Sequence, residues 1–316
     1  MVKRIWVWIL VAVVVTASAT SAIWWIIVGF KPTGVGYVAV MELSGVISYE
    51  ESPIALTGAP LTPEKVEKMV EEVRGDPSAK AVVLLIDSPG GSAAASEEIY
   101  QTLKRLAGEK PTISYIAEYG ASGGYHIALA GEEIIASPSS LTGSIGAVSV
   151  SVNIAELAER LGLEAETFKS GRLKDVGSIW RRMTPEEKEL MQRLVDDVAG
   201  IFEERVREER GDKIKDWDDV LTARPYLGIE AAEIGLVDRV GGLEDAIARA
   251  RELAGLPSTA PYRRIKPRAP SLLELLFGGA GGGGGRMKLS YEVLLMWPPP
   301  APIEPYEILG SSPRRG

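Results

Sequence analysis

Ser122 is the residue best placed to do chemistry. It stands in the run Gly120-Ala121-Ser122-Gly123-Gly124-Tyr125, between a stretch of strand length and an apolar stretch, residues 126–130, that suits a helix. A hydroxyl at such a junction has small neighbours that admit a substrate backbone, and the helix that follows offers unpaired N–H groups. Those are the needs of a nucleophile whose attack creates an oxyanion. The same residues also describe a glycine-rich turn in which the serine caps a helix. A second turn of this kind, Asp87-Ser88-Pro89-Gly90-Gly91-Ser92, ends an apolar run and precedes another helical stretch. Gly90 and Gly91 would expose backbone N–H groups there, half of an oxyanion hole or a phosphate cradle, and a plain βα loop has the same composition.

Ser122 needs a base. The chain has one histidine, His126. It lies four residues on and shares a helical face with Ser122, but that arrangement aims the imidazole poorly at the serine oxygen, and no carboxylate evident in the sequence orients it. A lysine serves instead where burial keeps its amine neutral. Position alone does not choose among 35 lysines and arginines. Lys174, in Ser170-Gly171-Arg172-Leu173-Lys174-Asp175, reads by itself as an exposed loop residue. A third cluster, Thr142-Gly143-Ser144-Ile145-Gly146, offers in Ser144 a hydroxyl able to orient an amine, or else a turn that satisfies its own backbone.

The elements that must position these residues alternate. Residues 37–43 (YVAVMEL), 81–86 (AVVLLI) and 112–117 read as strands, and 132–136 and 144–150 as two more. Helices are expected over 62–74, with Thr62 as N-cap and Pro63 at the first position, over 93–106, over 184–210 from the start signal Thr184-Pro185-Glu186-Glu187, and over 243–253. The alternation implies an α/β domain with mainly parallel pairing. Wholly apolar strands such as AVVLLI suit a sheet covered on both faces. Turns that follow neighbouring strands of such a sheet share its carboxyl edge, where ligands bind.

The chain of 316 residues is 46% apolar and 25% charged, ordinary for a globular protein. Its net charge of −8 argues against a nucleic-acid partner. With no cysteine and one histidine, disulfides, thiolate nucleophiles, Cys-ligated zinc and a two-His zinc site within one chain are excluded; no metal and no cofactor is called for. Lys3 and Arg4 precede an uncharged apolar run, residues 5–30, longer than the about 20 residues that a span needs. Trp6, Trp8, Trp24 and Trp25 lie near its ends as interfacial anchors do. Ala17, Ala19 and Ala22 would suit signal-peptide cleavage, yet the run exceeds an h-region of about 7–15 residues. Residues 1–31 are therefore expected to be an uncleaved transmembrane anchor, with the N-terminus cytoplasmic by the positive-inside rule. Residues 36–277 make the main domain, and 278–316 a glycine-rich linker and tail. Within the tail, residues 288–297 (KLSYEVLLMW) are β-prone and apolar. They are expected to fold back as an extended piece, along a sheet edge or in a peptide groove.

Together the clusters resemble the signal peptide peptidase A family of serine proteases. The resemblance rests on DSPGGS at 87–92, ASGGY at 121–125, TGSIG at 142–146, SGRLKD at 170–175, MTPEEKELMQ at 183–192 and ARPYLGIEAAEIGLVDRVGG at 223–242, in that order. It covers about residues 36–255 and looks like the single-copy form; the tail runs past the family-like end near 294–297. It implies a ClpP/crotonase-type α/β fold, a βαβ superhelix with mainly parallel sheets, behind one transmembrane helix. It implies Ser122 as nucleophile, Lys174 as general base, Ser144 holding the lysine amine, and an oxyanion hole of N–H groups from Gly90 or Gly91 and from Gly123. The activity implied is hydrolysis of apolar peptides, such as signal-peptide remnants in or at the membrane, through an acyl-enzyme. The enzyme would be a homo-oligomer of the cell membrane with an extracytoplasmic catalytic domain. A related membrane-bound Ser-Lys protease acting on particular membrane proteins would share this chemistry. A crotonase-like acyl-CoA enzyme would use the same turns for a thioester oxyanion, although Ser122 and the anchor speak against it; an inactive scaffold would use neither.

Overall fold

The structure, a computed structural model, describes residues 16, 36–50, 59–267 and 294–296. The chain divides into two compact units, Met1–Gly36 and Tyr37–Gly316. The run expected to span a membrane lies, Thr16 apart, outside the described residues. Among the described residues no helix is long and apolar enough to cross one.

In chain order the second unit runs β1 (Tyr37–Ser44), α1 (Pro63–Gly75), β2 (Ala79–Ser88), β3 (Gly90–Ser92), α2 (Ala93–Ala107), β4 (Thr112–Ala121), α3 (Gly123–Ala128), β5 (Glu133–Ala136) and β6 (Leu141–Gly143). Then come α4 (Ala155–Arg160), α5 (Pro185–Arg210), α6 (Trp217–Val220), β7 (Pro225–Leu227), α7 (Gly228–Ile234), β8 (Arg239–Val240), α8 (Leu243–Leu253), β9 (Tyr262–Ile265) and β10 (Leu294–Met296). The main sheet has the order β7-β6-β4-β2-β1-β9, with β5 beside β4 and β8 beside β5. Its pairings are parallel, except that β7 runs against β6.

The apolar strands are buried on both faces, as their lack of alternation requires. Ala39, Met41, Leu43, Leu84 and Ile86 join α1 and α2 in one core cluster. Val38, Val40, Ala81 and Val83 join Ala246, Ile247 and Ala250 of α8 in another. The helix starts are capped as expected. Thr62 Oγ1 accepts from Lys65 N–H at 3.3 Å. Thr184 Oγ1 accepts from Glu187 N–H at 3.2 Å while Glu187 Oε2 accepts from Thr184 N–H at 2.9 Å, a reciprocal box that fixes the start of α5.

Two expectations need correction. Residues 144–150 form no named strand: the ladder ends at Gly143, because Gly143 (φ 75°) and Ser144 (φ 52°) turn the chain out of extended geometry. The helix after Ser122 is Gly123–Ala128, starting and ending earlier than 126–130. Strands β7, β8 and β9 have no counterpart in the sequence reading. Of the segment 288–297, residues Leu294–Met296 form a strand antiparallel to β3; the others lie outside the described residues.

Candidate active site

Three strands bring the small-residue clusters to one edge. Ser88 at the end of β2 lies opposite Gly120 of β4, and Ala121 lies opposite Gly143 at the end of β6. The Gly90–Gly91 turn, Ser122 and Ser144 therefore leave the sheet side by side at its carboxyl edge.

Ser122 has φ 54° and ψ −120°, a backbone that residues with a Cβ adopt at a cost. Its neighbours hold it there. Ser122 N–H donates to Gly143 O at 2.7 Å, and Ser122 O accepts from His126 N–H at 2.9 Å. Thr142 Oγ1 donates to Gly120 O at 2.8 Å, tying β6 to the strand end just before the serine. The Ser122 side chain makes no capping hydrogen bond to α3, so its hydroxyl is not spent on the helix start, and the residue is buried.

Close backbone approach joins this serine to the other turn. A Cβ on Gly124 would stand 2.2 Å from Ser88 O, so only glycine lets α3 lie against the end of β2. A Cβ on Gly91 would stand 2.0 Å from Ile47 O. Ile47 N–H donates to Gly90 O at 2.9 Å, and Ser92 N–H donates to Ile47 O at 2.8 Å. Ser88 Oγ donates to Gly45 O at 2.7 Å and accepts from Gly90 N–H at 3.2 Å. The segment is thus pinned at Gly90 and Ser92, along the edge that Ile47 covers.

Ser144 sits one residue past the Gly143–Ala121 pair, as Ser122 does on the neighbouring strand. Its N–H donates to Arg224 O at 3.1 Å. Arg224 is itself held by Asp219 (2.7 Å) and Glu230 (2.6 Å).

The structure brings together Ser122, Ser144, Gly123 and the Gly90–Gly91 turn, and does not bring Lys174 to them. Lys174 is exposed in the loop between α4 and α5. Among the described residues no hydrogen bond links its amine to Ser122 or Ser144. The loop is fixed elsewhere: Arg181 bridges Asp175 at 2.7 Å and Glu187 at 2.5 Å. Arg181, with Lys169, holds the Asp175 carboxyl well below the usual range. Arg181 and the Thr184 N–H hold Glu187 at about 2. The lysine loop is therefore latched to the first turn of α5.

His126 has a carboxylate partner that the sequence reading missed. Its buried ring stacks on Phe202 at 4.8 Å and lies 5.3 Å from Tyr100. Nε2 is 2.9 Å from Glu97 Oε2, although neither ring nitrogen has an aligned hydrogen bond among the described residues. That contact first, then hydrogen bonds from Gln101 and Arg205, depresses the Glu97 carboxyl to about 2. Glu97 lies 29 positions before His126, on α2, and no local pattern signals the pair. The ring makes no hydrogen bond to Ser122 Oγ; it braces α3 against α2 and α5.

Comparison with known proteins supplies a family pattern and several relatives. The pattern of peptidase family S49 matches residues 104–257. The chloroplastic serine protease SPPA of Arabidopsis thaliana is 33% identical over 235 residues, covering 74% of this chain and 35% of that protein. A Synechocystis sp. chain described as a protease is 35% identical over 254 residues, covering 79% of this chain and 86% of that one. Protease 4 of Salmonella typhi is 34% identical over 224 residues, covering 70% and 35%. The chain thus spans about a third of the plant and Salmonella proteins and most of the cyanobacterial one. Among solved structures, a membrane-bound stomatin-specific protease aligns with a TM-score of 0.43 at 17% identity, covering 75% of this chain and 99% of that one.

Proposed function

The chain belongs to peptidase family S49, and from that premise we propose that it is a membrane-anchored serine endopeptidase in which Ser122 attacks and Lys174 is the base. The observation that carries the reading is the Ser122 turn: an uncapped hydroxyl on a strained backbone, next to Gly123 and packed against the Gly90–Gly91 turn. The fold is read as the ClpP/crotonase type, which the parallel pairing of β1, β2, β4, β5 and β6 supports.

In the proposed reaction the neutral Lys174 amine takes the Ser122 proton as Oγ bonds to the scissile carbonyl carbon. N–H groups of Gly123 and of Gly91, or of Gly90 once it leaves Ser88 Oγ, receive the oxyanion. The lysine ammonium then protonates the leaving amine, and water, activated by the same amine, releases the acid from the acyl-enzyme. Ser144 holds the amine in place. A lysine acts as a base only when neutral, which burial favours. The dyad therefore forms when the 170–175 loop reaches the Ser122–Ser144 pair, in the same chain or in a neighbouring copy. Exposed Leu161, Leu163 and Phe168 near that loop support self-association. The substrates are apolar peptides at the membrane, presented to an extracytoplasmic domain by the anchor, residues 1–31.

The test is labelling with a fluorophosphonate probe together with hydrolysis of an apolar peptide. Wild type is labelled and active, Ser122→Ala is neither, Lys174→Ala is slower by several orders of magnitude, and His126→Gln stays within about tenfold. Retained hydrolysis by Ser122→Ala, or a larger loss in His126→Gln than in Lys174→Ala, overturns the assignment.

A further inference from the structure

Among the described residues, three other than glycine have a left-handed backbone: Ser122, Ser144 (φ 52°) and Ala223 (φ 60°). The first two leave the sheet side by side. The third stands in the arm that leads into β7. Ala223 precedes Arg224, whose O accepts from Ser144 N–H at 3.1 Å. From there the arm pairs back along β6, with Pro225 opposite Gly143, Tyr226 opposite Thr142 and Leu227 opposite Leu141. Pro225 offers no N–H, and the Ser144 turn meets β7 through Arg224 O.

A left-handed alanine persists only where its surroundings over-determine it. Here the Arg224 side chain supplies the constraint. Its Nε donates to Asp219 Oδ1 at 2.9 Å and its Nη2 to Asp219 Oδ2 at 2.7 Å, a two-pronged bond. Nη2 also donates to Glu230 Oε1 at 2.6 Å. The guanidinium lies 3.8 Å over the Tyr226 ring, and the Tyr226 hydroxyl donates to Asp219 Oδ2 at 3.1 Å. Asp219 belongs to α6 and Glu230 to α7, so the fork grips the chain on both sides of Ala223 and Arg224. Its hydrogen bonds are the main reason that both carboxyls sit below their ordinary range.

We propose that Arg224 is a positioning residue for Ser144: its fork on Asp219 and Glu230 holds Ala223 left-handed, which keeps Arg224 O on the Ser144 N–H and the Ser144 hydroxyl in its place. This rests on the reading in which Ser144 holds the Lys174 amine while Ser122 attacks. Without the fork, Ala223 relaxes toward the negative φ that a residue with a Cβ prefers, and Arg224 O turns away. The Ser144 turn then loses its tie to β7. Ser122 keeps its own supports, Gly143 O and the pairing of β4 with β6. The loss therefore falls on the amine's holder and spares the nucleophile.

The experiment compares the full chain with Arg224→Gln, Arg224→Lys, Ser144→Ala and the double variant Arg224→Gln/Ser144→Ala on an apolar peptide. Arg224→Gln should lose about tenfold in kcat with KM within about threefold. In the Ser144→Ala background the same change should cost less than about twofold, because the hydroxyl it positions is gone. Lysine keeps the charge and not the fork, so Arg224→Lys should stay within about threefold of Arg224→Gln. An unchanged kcat in Arg224→Gln, an equal cost in both backgrounds, or an Arg224→Lys as active as wild type overturns the proposal. A second readout needs no catalysis. Hydrogen exchange read by mass spectrometry on a peptide spanning residues 141–147 reports the Ser144 N–H. Protection there should fall about tenfold in Arg224→Gln while a peptide spanning 81–86 keeps its own. Unchanged protection at 141–147, or an equal fall in both peptides, overturns the proposal. A selective fall at 141–147 with no hydrolysis by any of the proteins, wild type included, leaves the positioning standing and removes the peptidase reading.

Discussion

One added methyl group at Gly124 tests whether the nucleophile helix must lie against the Gly90–Gly91 turn. A Cβ there would stand 2.2 Å from Ser88 O and 3.1 Å from Ser88 C. A comfortable carbon–oxygen contact begins near about 3.3 Å, so helix and turn must part by about 1 Å. The obstacle is backbone and cannot swing aside. Ser88 is tied to Gly45 O through its hydroxyl and paired opposite Gly120. The separation therefore opens between Gly123 and the Gly90–Gly91 turn, whose N–H groups are proposed to share one oxyanion. A misplacement of about 1 Å costs roughly 100-fold in rate. Overpacking adds about 1–3 kcal/mol of destabilisation, a fall in Tm of roughly 3–10 °C for a domain of this size. The assay is steady-state hydrolysis with Tm measured on the same preparations. The control is Gly75→Ala, where an added Cβ meets nothing within 4 Å. Gly124→Ala should lose about 100-fold in kcat, with KM within threefold, while remaining folded. A kcat within threefold of wild type refutes the idea that the two turns must touch.

The remaining predictions concern protons and topology. Hydrolysis should rise toward alkaline pH in wild type and His126→Gln alike, because a neutral amine is the base; a pH profile that changes shape in His126→Gln would reassign that role. Glu97 is depressed to about 2 by His126 first and then by Gln101 and Arg205. Its contribution to stability is thus fully present above the ordinary carboxylate range and lost as pH falls from about 4.5 toward 2. Wild-type Tm should decline over that window more steeply than Tm of Glu97→Gln, and parallel declines would contradict the linkage. Protease added to spheroplasts should digest the domain after residue 36 if the anchor is oriented as proposed, and full protection would reverse the orientation.

The legible parts of the fold are those set by local chemistry. The run AVVLLI reads as a doubly covered strand because Val83 and Leu84 face different clusters and both need apolar neighbours. Thr62 and Thr184 mark helix starts because their hydroxyls answer N–H groups three residues away. The shared edge of the two glycine turns follows from parallel alternation alone. Residues 144–150 mislead because Ile145 is buried like a strand residue while Gly143 and Ser144 have already turned the chain. Strand β9, Tyr-Arg-Arg-Ile, lacks an apolar period because it is an edge: Arg263 reaches Glu72, Arg264 reaches Glu42, and Ile265 alone of the four is buried.

What the sequence does not disclose is set by contacts that no spacing rule supplies. Lys174 is recognisable by its surroundings in SGRLKD, yet its place is decided by a latch of Asp175, Arg181 and Glu187, whose mutual geometry no spacing rule supplies. Glu97 meets His126 only because α2 packs on α3. The tail is a sharper case. Its β-prone residues say that 288–297 favours a strand edge, but the choice of edge rests on Gly90 and Gly91, which contribute no side chain that a sequence pattern would register. Which edge is open depends on which peptide groups Ile47 has already taken, Gly90 O and Ser92 N–H, and residue type does not state that. An open strand edge admits any extended segment of fitting length, and Leu294, Leu295 and Met296 take this one antiparallel, opposite Ser92, Gly91 and Gly90.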